Sequence, residues 1–278
     1  MGRRRGARRR SAVAAAWRPI LRPQGYGVSL TGVFCHQTPR ASFVDSAGVP
    51  RQCELADLLV VVDDFTSGEA GRRWAVLIQA KMALPGGGQS LTSRGDLVQL
   101  DLLSNWPAFS LPAGFAPGQR DIRTCRHAGV AMDCATYGLI DPQPRPVWRQ
   151  QPPAQSMPTG GDELGTFLAH MIEDGQTGYG REATGLADDW SRTVDELTKV
   201  TAALAFSHAA SLTGQRSRGA TAVAFCIDTR DVPGANGVWG LEPPPSGGRP
   251  ERPRDDEPGE GISMLRIGVH RIEPGAVD

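Results

Sequence analysis

The sequence predicts an α/β protein, a sheet with helices packed on it, and three features carry that expectation. Two continuous apolar runs, 55–62 and 74–81, enclose a stretch of turn residues at 63–71. Segments with helical spacing follow at 96–106, 163–173 and 188–214. Two further runs of strand length, 221–227 and 262–272, come late in the chain and need a sheet to join. With 278 residues and 40% hydrophobic content the chain is long enough to bury a sizeable core, and no solenoid or propeller period divides it.

Taken in order, residues 1–22 read as a basic arm ending in a short helix over 11–22. The apolar stretch after the arginines stops at Arg18 and Pro19 after about seven residues, too short for a membrane span and poor as a signal peptide. An arm that touches nucleic acid and an extension upstream of the true start are equally good readings. Residues 27–35 read as a first strand, followed by a loop through Pro39 and Pro50. The runs at 55–62 and 74–81 read as two buried antiparallel strands. Asp96 is expected to cap a helix that covers Leu97, Leu100 and Leu103 and ends before Pro107.

Residues 135–140 form another expected strand, and 141–162, with their prolines and glutamines, an irregular connection. A helix over 163–173 comes next. Asp188 or Asp189 then caps a longer helix whose core stripe is Trp190, Val194, Leu197, Thr201 and Leu204, and which Gly214 stops. The Pro/Gly/charge-rich stretch 243–260 between the last two strands is expected to be a disordered surface loop. Residues 23–278 are read as a single domain with flexible stretches near 141–162 and 243–260.

Composition narrows the function. Five cysteines (Cys35, Cys53, Cys125, Cys134 and Cys226) show no CxxC pair, which speaks against a disulfide framework or zinc finger and for reduced thiols in a cytoplasmic protein. Net charge is zero, but six of the 30 basic residues stand in the first ten positions, leaving 24 basic against 30 acidic beyond them. The body is therefore not a broadly basic nucleic-acid binder, and any phosphate-binding face has to be local. Of the 30 basic residues 28 are arginine; only Lys81 and Lys199 are lysine. Lys199 has Asp195 four residues earlier on a helix. Lys81 has no such helical partner, which marks it as a position where a compact, tunable point charge is wanted and a guanidinium is not.

A hairpin over 55–62 and 74–81 with its turn centred near 69 pairs residues whose numbers sum to roughly 138, so Asp57 sits opposite or nearly opposite Lys81. Alternation projects Gln79 and Lys81 from one face and turns Ala80 into the core. Asp57, the Gln79 side chain and a backbone carbonyl near residue 80 could then hold a hard divalent cation through oxygen. Lys81 would orient a metal-activated water or offset charge on a phosphate, with Glu54 as a further ligand or proton acceptor. Strict alternation puts Glu54 and Asp57 on opposite faces, so their joint use needs a bulge or a strand that begins only at Leu55. The bland reading of the same residues is a pair of solvated strand termini.

The pattern Glu54-x-x-Asp57, apolar strand, turn, strand ending in Gln79-Ala80-Lys81 resembles the PD-(D/E)XK signature of restriction enzymes, Holliday-junction resolvases and related repair or defence nucleases. The resemblance covers residues 50–106, about a fifth of the chain. It implies a restriction-endonuclease-like fold, a mixed central sheet flanked by helices. A first helix would precede the sheet, the two strands would lie at its centre, and the helix at 96–106 would follow the lysine. It further implies a Mg²⁺- or Mn²⁺-dependent endonuclease acting on DNA in phage defence or repair. By resemblance Asp57 matches the motif's aspartate, Gln79 its second acid and Lys81 its lysine, with Glu54 beside them. Two departures stand out: no proline precedes Asp57, and glutamine replaces the acid, as in the family's QxK branches.

Gln99 falls where some such enzymes carry an additional polar residue, although helix surface is the plainer reading. His36 and Gln37 stand beside the expected first strand and are candidates to line the same pocket. No phosphate-binding P-loop and no serine-hydrolase elbow occurs, and the histidines lack metal-ligand spacing. The alternatives carried forward are a nuclease-fold protein without turnover that binds nucleic acid or a protein partner, and RNA as the substrate. A homodimer and partner proteins of a defence system are the assemblies expected; a membrane is not.

Overall fold

The computed structural model of the protein describes residues 12–35, 39–66, 71–84, 87–125, 134–141, 146–157, 160–172, 179–185, 188–209, 222–228 and 262–272. The arginine arm, His36, Gln37, Gly214 and the expected loop at 243–260 lie outside them.

Helix α1 (Ala12–Leu21) leads into β1 (Tyr26–Cys35), followed by β2 (Arg40–Val44), β3 (Pro50–Glu54), β4 (Leu58–Phe65), β5 (Arg72–Met82) and β6 (Gln89–Ser90). Helix α2 (Arg94–Asn105), β7 (Phe109–Ser110), β8 (Ala135–Asp141), β9 (Val147–Gln151), β10 (Ser156–Met157) and β11 (Asp162–Glu163) come next. Then follow α3 (Leu164–Ile172), β12 (Arg181–Glu182), α4 (Asp189–Ala209), β13 (Ala222–Asp228) and β14 (Met264–Arg271). The result is a mixed α/β architecture. Nine strands form the main sheet in the order β11-β9-β8-β5-β4-β14-β1-β13, with β12 on β5. Neighbours β4 and β5 are antiparallel, whereas β8 joins β5 and β14 joins β4 in parallel. A small sheet, β3-β2-β7, packs alongside.

The central strands are apolar at successive positions because both faces of the sheet are covered. Leu59 and Val61 of β4 and Ala75 and Leu77 of β5 pack with Leu102, Leu103 and Trp106 from α2 and its cap, and with Trp190, Val194 and Leu197 of α4. On the other face Val60, Val62, Val76 and Ile78 meet Phe167, Leu168 and Met171 of α3 and Trp17 of α1. The expected α4 stripe is thus core at Trp190, Val194, Leu197 and Thr201, all fully buried. Its cap is Asp188, whose carboxylate accepts from the Ser191 N–H at 2.8 Å.

Several expectations need correction. The first central strand runs into the stretch expected to turn at 63–71: β4 continues through Phe65 and β5 begins at Arg72, which leaves 66–71 as the connection. Asp63, read as a turn residue, is 4% exposed. Its carboxylate takes Arg73 Nε at 2.7 Å on β5 and Arg266 Nε at 2.6 Å on β14. With Asp63 set opposite Arg73, paired residues sum to 136 rather than 138, and the pairing is two residues from that expected.

Helix α2 is capped by Ser93, whose Oγ accepts the Asp96 N–H, and Asp96 lies in the first turn. Leu97 is 40% exposed, while Leu102 and Leu103 take the core face. The stretch 141–162 contains β9, β10 and part of β11. There the buried Gln150 accepts from Thr136 Oγ1 at its Oε1, 2.8 Å away, and Trp148 lies over Gly138, whose missing Cβ leaves room for the indole. No helix among the described residues is long and apolar enough to cross a membrane.

Candidate active site

The four residues picked out in the sequence converge where β3, β4 and β5 meet. Glu54 is the last residue of β3, and the chain bends through 55–57 before β4 starts at Leu58. Two backbone bonds hold that bend, Leu55 N–H to Pro39 O at 2.9 Å and Asp57 N–H to Ile78 O at 3.1 Å. The break between two strands, each in its own sheet, removes the alternation that would have sent Glu54 and Asp57 to opposite faces.

On β5, Gln79 and Lys81 continue the row of Ala75 and Leu77 and so share the face covered by α2. Gln79 is 4% exposed. Ala80, expected in the core, is only half-buried because it stands near the outer end of the strand. The observed register extends to place Asp57 beside Gln79, with Lys81 two residues beyond. Asp57 Oδ2 accepts the Ala80 N–H at 2.7 Å and the Gln79 Nε2 amide hydrogen.

Two residues of α2 complete the constellation. Gln99, read from sequence as helix surface, is 7% exposed. Its Nε2 donates to Gln79 Oε1 and, at 3.2 Å, to the backbone carbonyl of Glu54, tying three segments together. Asp96 accepts Lys81 Nζ at 2.6 Å and Ser93 Oγ at 2.6 Å. Lys81 therefore has a partner after all, across 15 residues of sequence rather than one helical turn. Asp96 and Gln99, three apart, lie on one helix face, a signal that was present in the sequence. Tyr137 of β8, also missed, is fully buried and is the register partner of Gln79 on the neighbouring strand.

Electrostatics follow from this crowding. Burial, then the neighbouring Asp57 charge, raises the Glu54 carboxyl to about 7, against smaller opposing effects of Lys81 and Arg40. Burial also raises Asp57, opposed by the Ala80 N–H, Lys81 and Gln79. Asp96 is lowered, first by its bond from Lys81 and then by Ser93. Burial holds the Cys53 thiol up at about 12, so it stays protonated at neutral pH.

The donor set fits a hard divalent cation. Two half-buried carboxylates of like charge stand together, and Gln79, two residues from Lys81, carries a neutral amide oxygen that here accepts from Gln99. Among the described residues no three His, Cys, Asp or Glu side chains are grouped to hold a metal. Both bonds to Asp57 fall on Oδ2, which leaves its other oxygen uncommitted to either. The groove lined by Asp45, Arg51, Arg94, Leu97 and Asp101 runs instead along the outer face of α2. Comparison with protein-family models, with curated proteins and with solved structures finds no match to this chain.

Proposed function

We propose that Glu54, Asp57, Gln79 and Lys81 form the active site of a metal-dependent phosphodiesterase acting on DNA, built on a restriction-endonuclease-like core. The observation that carries the reading is the convergence of Asp57, Gln79 and Lys81 at one end of the β4–β5 hairpin, with Gln99 of the following helix bonded into it. The element order supports it too: a helix before the sheet, an antiparallel central hairpin, helix α2, then β8 parallel to β5. In the sheet, β14 lies between β1 and β4, antiparallel to the first and parallel to the second.

In this reading Glu54 and Asp57 supply carboxylate oxygens and Gln79 an amide oxygen, the hard donors that Mg²⁺ or Mn²⁺ selects. The bound ion supplies polarisation of the phosphate and a water acidified for attack. Lys81, steadied by Asp96, offsets negative charge gathering on the phosphoryl oxygens. As the alternative to ligating the ion, Glu54, its carboxyl raised to about 7 by burial and Asp57, is poised to accept a proton near neutral pH.

Cleavage of plasmid DNA with Mg²⁺ or Mn²⁺ tests this, with Lys81→Ala and Asp57→Ala as controls expected to lose at least about a hundredfold in rate. Wild-type protein that leaves linear, supercoiled and branched DNA intact would sink the proposal. A second reading, binding without turnover, is favoured by a specific observation: the functional groups already satisfy one another, Lys81 with Asp96 and Asp57 with Gln79. Retention of DNA or RNA by both the wild type and Asp57→Ala, with no cutting, selects it. Residence in the cytoplasm and a role in defence or repair belong to the same proposal.

A further inference from the structure

Tyr137 carries a hydroxyl that the fold does not use. Its side chain is fully buried, and its Oη has no hydrogen-bond partner among the described residues. Buried hydroxyls are nearly always paired, so an idle one beside a polar cluster calls for an explanation. Its surroundings supply one. Tyr137 stands in register with Gln79 on adjacent parallel strands, and both side chains lie on the face covered by α2. Burial, and then the negative charges of Asp96 and Asp57, raises its phenol, so the hydroxyl keeps its proton through the working pH range.

Gln79 needs such a neighbour. Its Nε2 donates to Asp57 and its Oε1 accepts from Gln99, an arrangement that points the amide nitrogen, not the oxygen, at the carboxylate. To ligate a cation beside Asp57 the amide has to rotate by half a turn, which exchanges oxygen and nitrogen. The Nε2 hydrogens then face away from Asp57 and need an acceptor. Gln99 cannot easily follow, because its Nε2 is also held by the Glu54 carbonyl. Among the described residues, the buried side-chain hydroxyl left without a partner is that of Tyr137, the register partner of Gln79 on the neighbouring strand.

We infer that Tyr137 is a positioning residue: its hydroxyl holds the Gln79 amide in the rotated arrangement that turns the amide oxygen toward a divalent cation at Asp57. This rests on the cation-site reading of the previous subsection. It makes Gln79 a two-position switch, closed on Asp57 when the site is empty and turned onto Tyr137 when it is loaded.

The test compares the full-length wild type, Tyr137→Phe, Gln79→Glu and the double variant. Mn²⁺ affinity is read from the concentration dependence of Tm, and plasmid cleavage is measured in parallel. Without metal, Tyr137→Phe is expected to melt no lower than wild type, because it removes an unpaired hydroxyl. Its Mn²⁺ affinity is expected to fall by about tenfold, as for other residues that orient a metal ligand. The cleavage loss should shrink as Mn²⁺ is raised. With Gln79→Glu, whose carboxylate has no amide to orient, the same Tyr137→Phe change should cost little.

A metal-free Tm that drops by several degrees in Tyr137→Phe overturns the inference, since the hydroxyl would then already serve the fold. Equal Mn²⁺ affinity in wild type and Tyr137→Phe, or an equal loss in the Gln79→Glu background, overturns it as well while leaving the nuclease reading standing. Wild-type protein that neither responds to Mn²⁺ nor cuts DNA overturns both.

Discussion

Replacing Glu54 by glutamine should stabilise the protein at pH 8 and leave it unchanged near pH 4. The structure holds this carboxyl half-buried beside Asp57, which raises it from an ordinary 4.5 to about 7. At 1.36 kcal/mol per tenfold change in proton affinity, that difference corresponds to roughly 3 kcal/mol for a fully desolvated group. Solvent reaches part of the side chain and screens it, so about 1.5 kcal/mol is expected. The sign follows from the folded state binding the proton more tightly than the unfolded one. Stability is therefore lost as pH rises from 4.5 to about 7, and the full penalty persists above that. Glutamine cannot ionise and does not bear the penalty. For a chain of this size the gain is a Tm about 3 °C above wild type at pH 8. Thermal melts of both proteins in metal-free buffer at pH 4, 5, 6, 7 and 8 measure it. A variant that melts lower at pH 8, or a gap that does not change between pH 5 and pH 8, would refute the placement of Glu54 in a buried, negatively charged site.

Two other perturbations test the framework of the site. Asp63 joins β5 and β14 across β4, so Asp63→Ala strands the buried guanidinium of Arg266 and should cost about 3 kcal/mol in urea denaturation. A loss below about 0.5 kcal/mol would show that the pair is not felt. Asp96→Asn should cost about 0.5–1 kcal/mol above pH 3.8 and progressively less below it. The reason is that Lys81 and Ser93 lower the Asp96 carboxyl, so its contribution is present above its ordinary pKa and fades as acid protonates it. Equal acid sensitivity of the two proteins would argue against the Lys81–Asp96 pair.

Much of the chain could be read locally. The two central strands, α2, α3, α4 and both late strands fall close to their expected places, because apolar period, capping side chains and chain-breaking residues act over a few positions. Where local reading failed, a distant partner had overruled it. The Asp63–Asp64 dipeptide has turn chemistry, yet Asp63 is drawn into the sheet by arginines on two other strands, one of them 203 residues away. The prolines and glutamines of 141–162 look irregular, yet Val147–Gln151 pairs with β8, where Thr136 Oγ1 donates to the Gln150 Oε1 and Gly138 makes room for Trp148.

The candidate site divides in the same way. Residue chemistry alone singled out Asp57, Gln79, Lys81 and Glu54, since a rare lysine and an acid at the adjoining ends of two apolar strands are visible without coordinates. Which groups touch was decided by the tertiary structure. A two-residue change of register set Gln79 rather than Lys81 beside Asp57, a bend after β3 brought Glu54 to the same side, and the packing of α2 turned Asp96 and Gln99 inward. Strand and helix formation depends on neighbours along the chain. Pairing, burial and the resulting charge of a carboxyl depend on neighbours in space, contributed here by segments 15 to 45 residues apart.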